Sequence, residues 1–429
     1  MMMTFRLNTL DDGLQQIDDG LQQAQDYQEL KFQLHQHLIG EIERDHLGLP
    51  DLARAEIAAY VREKVIAYVA DRHLPISGYD LENLVEEVVD ELAGYGPLES
   101  LIKDDRINDI LVNGPKRVFI ERDGRLEMTT LRFIDDEHVL RVIRRILAHL
   151  GRRIDEASPM VDARLPDGSR VNAIIPPLAL DGPCLSIRKF RKQPLLSGDL
   201  LQYGTLDNEM LQFLTAAVER RCNLIVSGGT GAGKTTLLNV LSRFIPHGER
   251  IVTIEDAAEL QLEHDHVVRL ETRPSNIDGS GEITARELVK NSLRMRPDRI
   301  VLGEVRGEEV MDVLQAMNTG HDGCMSTVHA NSPEDAMLRF EMLAGLARFQ
   351  GTESTLRKMI AAAIELVVQI ARMPNGQRKV VSITEVAGVR DGQFVLNELY
   401  AYDAAGGHFS HSGVRPCNKK LQDLLFRRL

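Results

Sequence analysis

The sequence predicts an α/β protein whose core is a mainly parallel sheet, preceded by an α+β sheet module and an N-terminal helical bundle. Three observations predict it. The apolar run Leu224-Ile225-Val226 leads into a glycine-rich turn and then into the periodic segment Leu237-Leu238-Asn239-Val240-Leu241. From about residue 206 onward, short apolar runs alternate with amphipathic segments, the pattern of strands covered on both faces by helices. Between residues 107 and 190 short alternating runs surround Asn113-Gly114, Asp123-Gly124 and Asp167-Gly168, which is the texture of antiparallel strands.

Composition sets outer limits. The 429 residues accommodate two or three domains. Cys184, Cys222, Cys324 and Cys417 fall at spacings that suggest neither a zinc knuckle nor a disulfide framework, so a reducing, cytoplasmic setting is expected. No basic-then-apolar leader opens the chain, and the most apolar stretch, Ile360 to Ala371, contains Glu365 and Gln369; neither a cleaved export signal nor a membrane span is expected. A formal charge of -13 disfavours general binding to a nucleic-acid backbone, and no nucleic-acid partner is expected.

In chain order, residues 1–80 read as an acidic arm followed by a helical bundle. Asp11-Asp12-Gly13-Leu14-Gln15-Gln16 recurs as Asp18-Asp19-Gly20-Leu21-Gln22-Gln23, while Ile57, Tyr60, Val61, Val65, Tyr68 and Val69 recur at helical spacing. Residues 81–193 read as the α+β module: helices at Leu81 to Ala93 and Glu137 to Leu150, with strands around them. Arg164, Arg170 and Arg188 fall on its strands, where solvated charge competes with a contact to the tail of a nucleotide. Pro194 to Thr205 reads as a linker. Residues 206–429 form the core, with strands at Ile251 to Glu255, Val267 to Glu271, Arg299 to Leu302 and Cys324 to Val328, a helix from Pro333 to Leu346, and an antiparallel meander after Glu365.

The chemistry is carried by Gly228-Gly229-Thr230-Gly231-Ala232-Gly233-Lys234-Thr235-Thr236, a G-x-x-x-x-G-K-T phosphate loop between strand and helix. Its glycines allow the backbone N–H groups to form a concavity for anionic oxygens at a helix N-terminus. Lys234 would reach the terminal phosphates and Thr235 would ligate Mg²⁺. Phosphoryl transfer to water needs positioning and charge neutralisation, so carboxylates at strand ends beside this loop are the next requirement. Glu255 ends one strand, with Asp256 and Glu259 beyond it. Glu304 follows another, with Gly303 where an aspartate would ordinarily hold the metal shell. Glu304 is therefore assigned to the attacking water, and Glu255 to the metal's hydration shell or to polarising the water. His321 and His329 each follow a small polar residue near a strand end and are either functional or structural; His329 could donate to the γ-phosphate. Arg269 and Arg273 offer planar cations for a transferring phosphoryl group, in their own site or a neighbour's, with solvated surface charge as the alternative.

These residues together resemble a known family. The loop, Thr253 to Leu260, Leu293 to Arg299, Gly303-Glu304-Val305-Arg306-Gly307 and Asn318 to Asn331 look like the Walker A, Asp box, Walker B and His box of secretion-superfamily ATPases, the type II and type IV secretion and pilus motors. Ile110 to Pro115 and Arg164 to Asn172 look closer to the CpaF/TadA branch, which drives tight-adherence (Flp) pilus assembly. The resemblance implies a RecA-like P-loop core and a PAS-like sheet module that clamp ATP between them. It further implies a Mg²⁺-dependent homo-hexameric ATPase at the cytoplasmic face of the inner membrane, acting on a platform protein to assemble a pilus, with retraction as a further expected role. By position it makes Glu304 the catalytic glutamate, Glu255 the Asp-box acid, His321 and His329 the His-box histidines and Arg269 and Arg273 the arginine pair. The four-cysteine zinc element of many type II members is missing. A type IV secretion ATPase is the competing reading; a nucleotide-gated scaffold and a DNA-translocating motor are further from it.

Overall fold

The computed structural model describes residues 54–422 except 75, 123, 149, 191–193, 274 and 276–279, together with Leu30, Gln33, Leu34, His37, Leu38, Gly40, Glu41, Ile42 and Arg44. The acidic repeat of residues 11–23 lies outside the described residues. The chain divides into two compact units, residues 1–190 and 191–429.

In the first unit, helices α1 (Arg54–Asp71) and α2 (Gly78–Ala93) pack Ile57, Val61, Val65 and Tyr68 against Leu84, Val85, Val88 and Val89, with Leu34 and Leu38 in the same cluster. Ser77 caps α2 by accepting a hydrogen bond from Asp80 N at 3.1 Å. Short helix α3 (Glu99–Lys103) then leads into strands β1 (Ile107–Asn113), β2 (Val118–Arg122) and β3 (Arg125–Met128). Helix α4 (Asp136–Ala148) follows, then β4 (Met160–Arg164), β5 (Arg170–Ile174) and β6 (Cys184–Arg188). The six strands form an antiparallel sheet in the order β3-β2-β1-β6-β5-β4. One face carries Ile110, Val112, Val171, Ala173, Leu185 and Ile187 onto Val139, Val142, Ile143 and Ile146 of α4.

The second unit opens with helices α5 (Ser197–Gln202) and α6 (Asn208–Glu219). It continues β7 (Leu224–Gly228), α7 (Lys234–Ser242), β8 (Ile251–Glu255), β9 (Val267–Glu271), α8 (Ala285–Ser292), β10 (Arg299–Leu302) and α9 (Glu309–Asn318). Next come β11 (Met325–His329), α10 (Pro333–Leu346), α11 (Glu353–Ala363), β12 (Leu366–Arg372), β13 (Arg378–Arg390), β14 (Gln393–Asp403), β15 (His408–His411) and α12 (Lys419–Gln422). Nine strands form one sheet in the order β15-β14-β13-β12-β7-β11-β10-β8-β9. The run from β12 to β9 is parallel, and β13 to β15 add antiparallel. Strands β7, β8 and β10 are buried at every position, polar Ser227, Thr253, Glu255 and Arg299 included, as strands covered on both faces by helices are.

The segment read as a linker is different in the structure. Asp199 Oδ2 accepts a hydrogen bond from Leu196 N at 2.7 Å, which starts helix α5, and Leu200 is buried in the core beside Met210 and Leu214. Six residues are too few for a helical period to show in the sequence. The Ser332-Pro333 start signal, by contrast, is realised: Ser332 Oγ accepts from Asp335 N at 3.0 Å, with Pro333 in the first helical turn.

Candidate functional site

In a parallel sheet every strand ends on the same edge, so residues that follow β7, β8, β10 and β11 share one rim of the second unit. The phosphate loop leaves β7 at Gly228. A Cβ there would sit 2.4 Å from the carbonyl oxygen of Ile370, so only glycine fits against β12. Gly233 caps α7 at φ 100°, a left-handed conformation that glycine adopts without strain. Lys234 Nζ donates to Gly229 O at 3.0 Å, which folds the lysine over its own loop.

His329 ends β11 directly opposite Gly228 in the register, one strand spacing from the loop, and is exposed. Two residues earlier, Thr327 Oγ1 donates to Gly303 O at 2.7 Å and Thr327 O accepts from Val305 N at 2.9 Å. These bonds tie β11 to the turn that carries Glu304. Glu304 itself accepts from Arg306 Nη2 at 2.7 Å, and Arg306 Nη1 reaches Asp256 Oδ2 at 3.2 Å. Arg306 therefore bridges the ends of β10 and β8.

Glu255 is 3% exposed. Its Oε2 accepts from Glu259 N at 2.7 Å and Leu260 N at 3.0 Å, closing the turn after β8, and its Oε1 has no hydrogen-bond partner among the described residues. Burial raises the Glu255 pKa; the two backbone N–H groups and Arg269 pull the other way. A Cβ at position 303 would lie 3.0 Å from Glu255 Cγ. The glycine in place of the usual aspartate thus makes room for Glu255, and the acid is supplied from the neighbouring strand. A buried carboxylate oxygen with no hydrogen-bond partner among the described residues is a ligand atom suited to a hard cation or its water, so this residue fits Mg²⁺, and Thr235 is the second oxygen the sequence reading expects. Asp256 caps no helix; the chain turns without one before β9.

The remaining candidates separate. His321 precedes β11, so it lies at the opposite edge of the sheet, where its backbone N–H bonds Ala316 O and its carbonyl accepts from Cys324 Sγ at 3.0 Å. The length of β11 alone is about 13 Å, and the structure does not bring His321 to the phosphate loop. Arg269 lies on and Arg273 just beyond the edge strand β9, four strands from β7, or about 19 Å along the sheet. Both are exposed, and Arg273 Nε donates to Gly281 O at 2.6 Å.

In the first unit, Arg164 pairs opposite Arg170 and Arg170 opposite Arg188, with Asp109 next in the row and 3.4 Å from Arg188 Nε. Like charges directly opposite one another destabilise a sheet, which makes this row a feature that an anion would relieve.

Sequence reading missed Arg378. It begins β13, and its Nε donates to Gly231 O of the phosphate loop at 3.2 Å although 147 residues separate the two. Nothing in the local sequence signals that contact; it depends on β12 pairing with β7.

Comparisons with known proteins identify the family. The family model described as "Type II/IV secretion system protein" matches residues 91–421. The chain belongs to this family, that of the type II/IV secretion system ATPases. A "Putative conjugal transfer protein" of Mycobacterium tuberculosis is 41% identical over 323 residues, 74% of this chain and 90% of that protein. The conjugal transfer protein TrbB of Rhizobium radiobacter is 30% identical over 311 residues, 72% of this chain and 92% of the relative. Among solved structures, the VirB11 ATPase of the Brucella suis type IV secretion system, in complex with sulphate, shares 27% identity over 67% of this chain and 95% of its own, at a TM-score of 0.37. The expected RecA-like α/β fold is present in the second unit. The family is that of secretion ATPases; the tight-adherence branch is a finer matter.

Proposed function

We propose that the chain is a Mg²⁺-dependent ATPase that works as a homo-hexameric motor of tight-adherence pilus assembly, coupled to an inner-membrane platform protein at the cytoplasmic face. The observation that carries the chemistry is that one rim of the sheet gathers the phosphate loop, His329, Glu304 and the unpartnered oxygen of buried Glu255. Bound Mg²⁺ would be held by Thr235 and, directly or through water, by Glu255, and would neutralise the phosphate oxygens.

Each side chain then has a task. The loop N–H groups and Lys234 hold the phosphates, which requires Lys234 to leave Gly229 O. Glu304 orients the attacking water and accepts its proton, which requires Arg306 to release the carboxylate. His329, beside Gly228, donates toward the γ-phosphate. Arg269 and Arg273, at the far edge of the sheet, serve the site of a neighbouring copy. The row Arg164, Arg170 and Arg188 is proposed to bind an anion such as a nucleotide carries, and His321 is given no chemical role.

The test is nucleotide binding by the full chain. The wild type should bind a fluorescent ATP analogue with Mg²⁺, and Lys234→Ala should lose that binding. Retained affinity in Lys234→Ala would show the phosphate loop to be misassigned.

A second reading has a specific observation behind it: the 41% identical relative and TrbB are both named for conjugal transfer, which favours a type IV secretion ATPase energising substrate transport. Neighbouring genes for a small pilin and a prepilin peptidase would favour the pilus; genes for a conjugative channel would favour transfer. Duplex DNA should not stimulate hydrolysis under either reading, and strong stimulation would favour a translocase.

A further inference from the structure

We infer that Arg378, with Arg372 opposite it, is a positioning element of the phosphate loop that holds the loop from its outer side and adds cationic charge for a nucleoside di- or triphosphate. This rests on the nucleotide-binding reading of the loop and extends it to a hairpin that no local motif marks.

The argument starts from the register. Strand β12 lies parallel to β7, with Ile370 opposite Gly228, and then turns back as β13, so that Arg372 and Arg378 face each other across the first pair of the hairpin. The hairpin lies against the loop. A Cβ on Gly228 would lie 2.4 Å from Ile370 O, one on Gly233 3.2 Å from Arg378 Cδ, and one on Gly231 3.9 Å from Arg372 Nη1. Arg378 also holds the loop directly, through Nε to Gly231 O at 3.2 Å.

The peptide plane gives that bond a consequence. A trans peptide points its C=O and the following N–H in opposite directions. With Gly231 O turned outward to Arg378, the Ala232 N–H turns to the inner side of the loop. There it meets Gly229 O at 3.3 Å, the same carbonyl that Lys234 Nζ holds. A bound phosphate oxygen would replace Gly229 O as the acceptor for both, so Arg378 keeps the curl ready for an anion. Two arginines directly opposite one another also repel, and a polyanion beside them relieves the repulsion. The two guanidinium groups thus favour the occupied loop over the empty one.

The test compares wild type, Arg378→Ala and Arg378→Lys as full chains, reading affinity for a fluorescent ADP analogue with Mg²⁺, steady-state ATP hydrolysis, and amide hydrogen exchange of the peptide covering 229–233 without nucleotide. Removing a charge-assisted contact of this kind should weaken ADP about tenfold or more. KM for ATP should rise in step while kcat stays within about threefold, and exchange in the loop should quicken. Arg378→Lys keeps the charge without the fork and should recover part of the affinity; it also serves if Arg378→Ala does not fold. Wild-type affinity together with wild-type exchange in Arg378→Ala would overturn the inference. So would a fall in kcat at unchanged KM. Faster exchange in Arg378→Ala, in a protein whose wild type binds no ADP, would uphold the tie to the loop and remove the nucleotide reading instead.

Discussion

Gly303→Ala isolates the accommodation between the turn after β10 and Glu255. The added Cβ would lie 3.0 Å from Glu255 Cγ, whereas carbon atoms pack comfortably at about 3.5–4.0 Å. Glu255 must move by roughly half an ångström or more, and overpacking of this kind costs about 1–3 kcal/mol. The displaced carboxylate would also strain its bonds from Glu259 N and Leu260 N, and losing a buried hydrogen bond of this sort adds about 1–3 kcal/mol. A total of about 2–6 kcal/mol follows, which for a unit of this size lowers Tm by roughly 2–4 °C per kcal/mol. Thermal denaturation of a double-mutant cycle is the assay. In a Glu255→Ala background there is no Cγ to displace, and the cost of Gly303→Ala should fall to within about 0.5 kcal/mol of zero. An equal cost in both backgrounds would refute the idea that the glycine exists to seat Glu255.

Two further outcomes are expected. Burial raises the Glu255 pKa above its ordinary value of 4.5, so the native state binds the proton more tightly than the unfolded chain. The associated stability is present below pH 4.5 and is lost as pH rises through the raised folded value. Glu255→Gln should therefore match wild type in Tm near pH 4.5 and exceed it at neutral pH; a variant that loses ground to wild type over that range would contradict the sign. Cys222 and Cys324 are buried, with their thiols pushed up to about 12 by desolvation. In native protein at pH 8 a disulfide reagent should titrate exposed Cys417 first and Cys184 more slowly, leaving Cys222 and Cys324 until denaturant is added. Release of all four at one rate would contradict the burial.

The legible parts of this protein are those where one local segment carries the whole signal. The loop from Gly228 to Thr236 announces both its flanks, because an apolar strand and a helix start are each written beside it. Glu255 and Glu304 follow largely apolar runs, and Glu255 closes β8 while Glu304 lies two residues beyond β10. Pairing order was not legible: β11 inserts between β7 and β10, and β12 settles against the other side of β7, choices made by helix packing on both faces rather than by any strand's own residues. Arg378 is invisible for the same reason, since its partner Gly231 is reached only through that pairing. His321 shows the converse. Its motif resembles that of His329, yet it precedes β11 while His329 ends it, and in a parallel sheet that difference alone puts the two on opposite edges. That much could have been read from the order of the chain.

The central claim is that Glu304, just beyond β10 on the rim that also carries the phosphate loop, readies water for attack on a bound triphosphate. Phosphate release by the assembled full-length protein with ATP and Mg²⁺, compared between wild type and Glu304→Gln at equal nucleotide occupancy, tests it most directly. The account predicts turnover in the wild type and a fall of about 10²-fold or more in the variant, the scale expected when a general base is removed, with binding retained. A Glu304→Gln protein that releases phosphate at the wild-type rate would contradict it.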